Sequence, residues 1–157
     1  MITFEPIGVI KTPFHTQDNM PIQSGMAEGV KGKIILKKKF AEGLMDIDSF
    51  SYIIIIYHFH KTPGYKLKVI PFMDDKPHGV FATRAPVRPN PLGFSVVRLV
   101  KVENNILHIE DVDMLDGTPL IDIKPYIPQL DNRKAKRIGW LENKQYKKIV
   151  KSDKRFI

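Results

Sequence analysis

Residues 79–95 read GVFATRAPVRPNPLGFS, and the conformation this stretch is forced into governs how the rest of the chain can be arranged. Pro86, Pro89 and Pro91 fix φ, remove three N–H donors and push Ala85, Arg88 and Asn90 toward extended backbone, so the segment is a stiff loop and cannot be a helix. Its exit is β-type: after Gly93 the residues Phe94, Val96, Val97, Leu99, Val100 and Val102 make a long strand. Asn104-Asn105 then separates that strand from Ile106, Leu107 and Ile109, and asparagine tolerates the positive φ of a tight hairpin. One strand starts where its partner stops. The hairpin therefore predicts that the 84–95 loop and the 111–118 loop lie side by side.

That second loop opens DVDMLDGTPLIDIKPY, residues 111–126. It gathers Asp111, Asp113, Asp116 and Asp122 around an Asp-Gly turn and ends in a second stiff unit, Lys124-Pro125-Tyr126. Rigid loops that leave strands hold polar side chains at fixed positions, which a binding or catalytic site requires.

Taken together, ATRAPVRPNPLGFS (82–95) and DMLDGTPLIDIKPY (113–126) resemble the paired signature of the tRNA N6-threonylcarbamoyladenosine methyltransferase family. PIGVIKTPF (6–14), QSG (23–25) and FSYIIIIYHFHKT (50–62) fit the same pattern in order, so the resemblance covers residues 4–131. It implies an S-adenosylmethionine-dependent enzyme on a single small β-barrel of about seven strands, a homodimer with the cofactor near the interface, and tRNA as partner. Residues 1–131 read as the barrel, and residues 132–157 as a basic tail or helix of the same domain. Neither G-x-G-x-x-G nor a phosphate-loop pattern occurs, so a doubly wound cofactor sheet has no support.

The resemblance also assigns roles. Arg88 goes to the cofactor, Gln23, Ser24, Gly25, His60 and Lys61 form its pocket, and Asp113, Met114, Leu115 and Asp116 face them. Methyl transfer to a urea-like nitrogen needs a base, because its lone pair is delocalised and its proton must leave. A partly desolvated carboxylate suits that task, with Asp116 in the Asp-Gly-Thr turn as first choice and Asp113 as second. Both carboxylates suit the cofactor's ribose hydroxyls or ammonium equally well. Arg84 is assigned to an RNA phosphate, though an arginine in this loop also matches a carboxylate, whether the cofactor's or the threonyl group's.

Elsewhere the chain reads mostly as β. Residues 4–11, 32–36, 51–60 and 65–72 are expected strands, and 15–29 is a long loop. The 51–60 strand is apolar on both faces, as a strand buried in a barrel wall or under a dimer partner would be. His58 and His60 share a face, but no third ligand follows at metal-binding spacing, so no metal is expected. Residues 1–131 carry 15 Lys+Arg and 15 Asp+Glu, whereas 132–157 carry 10 and 2, so the tail supplies the whole net charge of +8. Trp140, Tyr146, Ile149 and Val150 predict a basic amphipathic helix near 141–151, with Lys144, Lys147, Lys148 and Lys151 available to RNA phosphates.

With no cysteine, and with the apolar run at 52–57 far shorter than a membrane span, the chain reads as a cytoplasmic protein. Two other classes fit the same composition: a non-catalytic RNA-binding module using the tail, and a metal-dependent hydrolase using the 111–122 carboxylates.

Overall fold

The computed structural model describes residues 1–144 and 151–157. Six antiparallel strands close a barrel in the order β1-β2-β7-β6-β3-β8: β1 (Gly8–Lys11), β2 (Lys31–Leu36), β3 (Tyr52–His58), β6 (Leu92–Glu103), β7 (Ile106–Glu110) and β8 (Thr118–Pro125). Two more, β4 (Lys68–Val69) and β5 (His78–Gly79), form a separate ribbon. The expected seven-strand barrel thus has six strands, and the expected 65–72 strand shrinks to two residues before Pro71, which has no donor for a ladder. The only α-helix among the described residues is α1 (Pro128–Asp131).

Alternation decides which side chains fill the barrel. Ile53, Ile55 and Tyr57 point inward from β3 and join Ile10, Ile34, Val97, Leu107, Ile109 and Leu120 in a core that excludes water. The opposite face of β3 is not buried: Tyr52 is exposed and Ile54 and Ile56 are half-exposed. A second apolar cluster lies outside the barrel, where Val69, Val80, Ala85 and Val87 pack on Phe156 from the end of the chain.

The site is positioned by the coiling of β6. Its first half, from Leu92 to Arg98, pairs with β3, and its second half, from Arg98 to Glu103, pairs with β7. Asn104 turns the hairpin in the left-handed conformation (φ 55°), as its sequence predicts. At the far end β7 stops at Glu110, and Asp111 (φ 71°) turns the chain off the ladder while its Oδ1 accepts the Gly29 N–H at 2.8 Å. Residues 112–116 are then bonded to Val30, Thr12 and Phe14, and the Asp113 side chain reaches Ser95 in the first half of β6. The two loops meet at one barrel end, as expected.

Gly93 is required here by a close approach. A Cβ at this position would lie 2.4 Å from the Tyr57 ring and 2.7 Å from the Phe59 ring, two aromatics packed edge to face at 5.5 Å. Gly93→Ala is expected to displace both rings and cost about 1–3 kcal/mol by overpacking. A lowered thermal midpoint checks it, and a wild-type melt would refute the packing described.

Candidate active site at the barrel mouth

A cleft of about 770 Å³ opens at this end of the barrel. One wall is the proline loop. Its prolines leave the loop few N–H groups, and Arg88 adds donors: Nη1 donates to the carbonyls of Thr83 (2.8 Å), Ala85 (3.1 Å) and Val80 (3.2 Å), the last of which also accepts the Thr83 N–H. The Thr83 hydroxyl also donates to the Val80 carbonyl. Arg88, assigned to the cofactor from the sequence, borders the cleft, and this terminal nitrogen braces the loop.

The two carboxylate candidates separate sharply. Asp116 lies outside the cleft lining. Its oxygens accept the Thr12 N–H (3.0 Å) and the Lys11 ammonium (3.2 Å), and His15 lies 3.5 Å away. Burial pushes its pKa up, but the Thr12 amide and the Lys11 charge outweigh that and hold it below the ordinary carboxylate value. These contacts favour its charged, weakly basic form and pin the 111–118 loop to the end of β1.

Asp113 lines the cleft. Burial pushes its pKa up to about 7, and the Ser95 hydroxyl, nearby amides and Arg84 only partly offset this. Ser95, buried on β6, donates to Asp113 Oδ1 at 2.6 Å and lies 2.9 Å from the Tyr57 hydroxyl inside the barrel. The phenol pKa is pushed far up by burial and then by Asp113, so it stays protonated.

Of the other residues picked from the sequence, Gln23, His60, Lys61, Met114 and Leu115 line the cleft, and the Ser24 backbone lies close enough to stabilise the Asp113 carboxylate. His60 is held below the ordinary imidazole value by burial and by Lys61, which favours its neutral form. Gly25 is outside the lining, and a Cβ there would meet no protein atom within 4 Å. Arg84, assigned to RNA, lines the cleft: its Nη1 donates to Gln23 Oε1 at 2.6 Å, and its guanidinium lies 5.2 Å from the centre of the Phe94 ring.

Among the described residues no group of three possible metal ligands converges. Asp111 caps Gly29, Asp116 holds Thr12, Asp122 pairs with Lys124 on β8 and Asp113 bonds to Ser95, so the four carboxylates of 111–122 have separate partners.

The tail forms part of the site. Trp140 lines the cleft, donates its indole N–H to the Ala82 carbonyl at 2.8 Å and stacks on His78 with centroids 4.8 Å apart. Lys144 reaches Asp74 at 2.8 Å, and that ammonium together with His78 holds the Asp74 carboxyl well below the usual range. Arg155 donates to the Pro71 carbonyl at 2.6 Å, Ser152 hydrogen-bonds with Asn19 and Met20, and Lys151 pairs with Pro21. The tail thus links the 15–29 loop to the ribbon. The expected helix near 141–151 is replaced at its start by a 3-10 turn (Gly139–Leu141) and does not include Lys151, and Lys147 and Lys148 lie outside the described residues. Lys144 is an internal partner, not a free RNA contact.

Several participants gave no sequence signal of a site: Tyr57, Phe59 and Phe94 look like barrel residues, and Ser95 is one hydroxyl in a strand. Trp140, the sole tryptophan, is the one that stood out by its type.

The chain is similar to known proteins in sequence and in fold. The model of the tRNA-methyltransferase O N-terminal domain matches residues 9–132. A probable S-adenosyl-L-methionine-binding protein of Pyrococcus abyssi is 53% identical over 99% of this chain and 85% of its own length. The Escherichia coli tRNA (adenine(37)-N6)-methyltransferase is 37% identical over 80% of this chain, which spans 57% of that enzyme. A crystal structure of TrmO superposes with a TM-score of 0.76 at 37% identity, covering 87% of this chain and 62% of that one.

Proposed function

The chain belongs to the tRNA-methyltransferase O N-terminal domain family, and from that premise we propose that it binds S-adenosylmethionine in the barrel-mouth cleft and methylates N6 of a threonylcarbamoylated adenosine 37 in tRNA. The observation that carries this reading is Asp113: a carboxyl with a pKa near neutrality, lining a cleft and fixed by a buried hydroxyl.

The cleft suits the cofactor in size and lining. Its volume lies in the range for a ligand of this size, with Met114, Leu115 and Phe94 as apolar surface and Lys61 as a charged group at its wall. Gln23, Lys61, His60, Met114 and Leu115 would hold it. When bound, it supplies a methyl already activated by a sulfonium, so the protein's tasks are alignment and proton removal. Asp113 performs the second. As N6 takes the methyl, its proton passes to the carboxylate, which is half ionised near pH 7 and therefore matched to a proton transfer at that pH.

Arg84 gives the acceptor its specificity. A threonylcarbamoyl group ends in a carboxylate, which a guanidinium on the same wall of the cleft can take. The apolar outer face of β3, with Ile54 and Ile56 half-exposed, supports a homodimer, and exposed tail residues such as Lys134, Lys136 and Lys154 support tRNA phosphate contact. No helix among the described residues is long and apolar enough to cross a membrane, and we read the chain as acting in the cytoplasm.

The test pairs calorimetry with methyl transfer. S-adenosylmethionine should give binding heat without added metal, and labelled methyl should pass to tRNA carrying threonylcarbamoyladenosine far more readily than to tRNA with unmodified adenosine. Arg84→Ala should lose about 1.5–3 kcal/mol of acceptor binding and most of that preference. Cofactor heat without transfer to either tRNA would overturn the enzyme reading in favour of a binding module.

A further inference from the structure

We propose that Tyr57 and Ser95 are positioning residues for the methyl transfer, acting as a buried hydroxyl chain that fixes one oxygen of Asp113 as an acceptor and leaves the other to take the substrate's proton. The inference rests on the reaction proposed above and concerns residues that the reaction does not itself name.

Proton counting gives the chain its direction. Ser95 has one hydroxyl proton, and it goes to Asp113 Oδ1 at 2.6 Å. The 2.9 Å contact with Tyr57 must then be donated by the phenol to Ser95 Oγ. Every hydroxyl proton in the series points toward the carboxylate: Tyr57 to Ser95, Ser95 to Asp113. Such a series polarises in one sense and strengthens as negative charge collects at its end.

The fold holds the chain rigidly. Tyr57 and Ser95 come from adjacent paired strands, with Ile55 opposite Ser95 and Tyr57 opposite Gly93. Gly93 leaves the space that the Tyr57 ring fills, and the ring's hydroxyl reaches Ser95. Both residues are buried, so bulk water does not compete for their hydrogen bonds. The phenol does not serve as a base, because burial and the facing Asp113 both keep it protonated. With Oδ1 held by Ser95, the proton-accepting role falls to Oδ2, and the proton removed from N6 leaves the reacting centre on that oxygen.

The charged and titratable groups around Asp113 are Tyr57 from β3, Arg84 from the proline loop, and His60 and Lys61 along the cleft. Arg84 pulls the Asp113 pKa down from one side while Ser95 pulls it down from the other, so deleting either should raise it. The Ser95 effect is separable because Ser95 is walled off from the substrate.

The experiment compares wild type, Ser95→Ala and Tyr57→Phe in two readouts. The first is the titration of the Asp113 carboxyl followed by carbon NMR in the intact chain. The second is the pH profile of methyl transfer under saturating and limiting tRNA. Ser95→Ala should move the Asp113 titration and the acid limb of the rate profile upward together by about one pH unit and lower kcat by about tenfold, with cofactor binding and KM for tRNA little changed. Tyr57→Phe should move both in the same sense by less, since Ser95 still donates. If Ser95→Ala fails to fold, Tyr57→Phe, which retains the ring, carries the test.

An Asp113 titration unmoved in both variants overturns the hydroxyl chain. A titration that moves while the acid limb stays put overturns its part in the reaction. Wild-type protein that methylates no tRNA, yet shows the titration shift between variants, overturns the proposed reaction and the positioning role with it, and is distinguished by the surviving shift.

Discussion

Asp113→Asn is expected to lower methyl transfer by about two to four orders of magnitude, the range over which a positioned base contributes, while S-adenosylmethionine still binds. Asparagine keeps an oxygen for the Ser95 hydroxyl and nearly the same volume, so what the change removes is the capacity to accept a proton. The same variant makes a stability prediction of opposite sign. The Asp113 pKa rises on folding from an ordinary 3.8 to about 7, so the folded state holds a proton that the unfolded chain releases. That contributes stability fully present below about pH 4 and lost as pH rises through about 7. The substituted amide carries no charge to bury. Asp113→Asn should therefore melt higher than wild type at pH 8, and the two should converge below pH 4. A variant that is nearly inactive yet more stable at pH 8 is what a residue held in a costly environment for catalysis should give. Wild-type activity in Asp113→Asn would remove Asp113 as the base, and a lower melt at pH 8 would remove the desolvated carboxyl.

The wild-type rate should follow the same titration. Activity requires ionised Asp113, so it should climb with pH and level off above about 7. Asp116, held below the ordinary carboxylate value, would place that climb in more acidic solution. The position of the acid limb thus discriminates between two carboxylates three residues apart.

What separates those two carboxylates is a matter of range. The adjacency of the two loops was legible because it depends on local features: the prolines at 86, 89 and 91, the alternation from Gly93 onward, and an asparagine that accepts φ 55°. Whether a carboxylate in the second loop is buried or ion-paired depends on partners far along the chain. Lys11, which neutralises Asp116, is 105 residues away, and Ser95, which holds Asp113, comes from the strand on the other side of the hairpin. Only the closed barrel brings β1 beside β8 and fixes which carboxylate faces which partner. Arg88 has a structural task that its residue type does not announce. An arginine in a ligand loop matches an anion by type, but in a loop where three prolines leave few N–H groups one of its nitrogens also serves the carbonyls of Val80, Thr83 and Ala85. The tail was read from its charge, which is real, while its contacts at separations of 58 to 135 residues had no local trace.

Those contacts lead to the second large effect. Truncation after Asp131 is expected to abolish cofactor binding and to lower the thermal midpoint by about 10 °C or more, instead of leaving a competent barrel. It removes Phe156, which packs edge to face on Phe72 at 4.9 Å over Val69, Val80 and Val87; loss of a buried phenylalanine side chain alone costs about 3–5 kcal/mol. It also removes Arg155, which holds the Ile70 and Pro71 carbonyls, and Trp140, which anchors Ala82 at the start of the proline loop. The cleft would lose a wall and the loop that carries Arg84 would lose its support. A charge-only variant separates this structural role from RNA contact. Lys134, Lys136 and Lys154 are exposed, so changing all three to Gln should leave the melt and cofactor binding intact while weakening tRNA binding and flattening its salt dependence by about one unit of slope per lost phosphate contact. If truncation leaves cofactor affinity and the midpoint unchanged, the tail is an appended arm and the wall assigned to it is wrong. If the triple variant keeps the wild-type salt slope, the tail's exposed charge does not meet the tRNA backbone, and its part in this protein is to close the cleft.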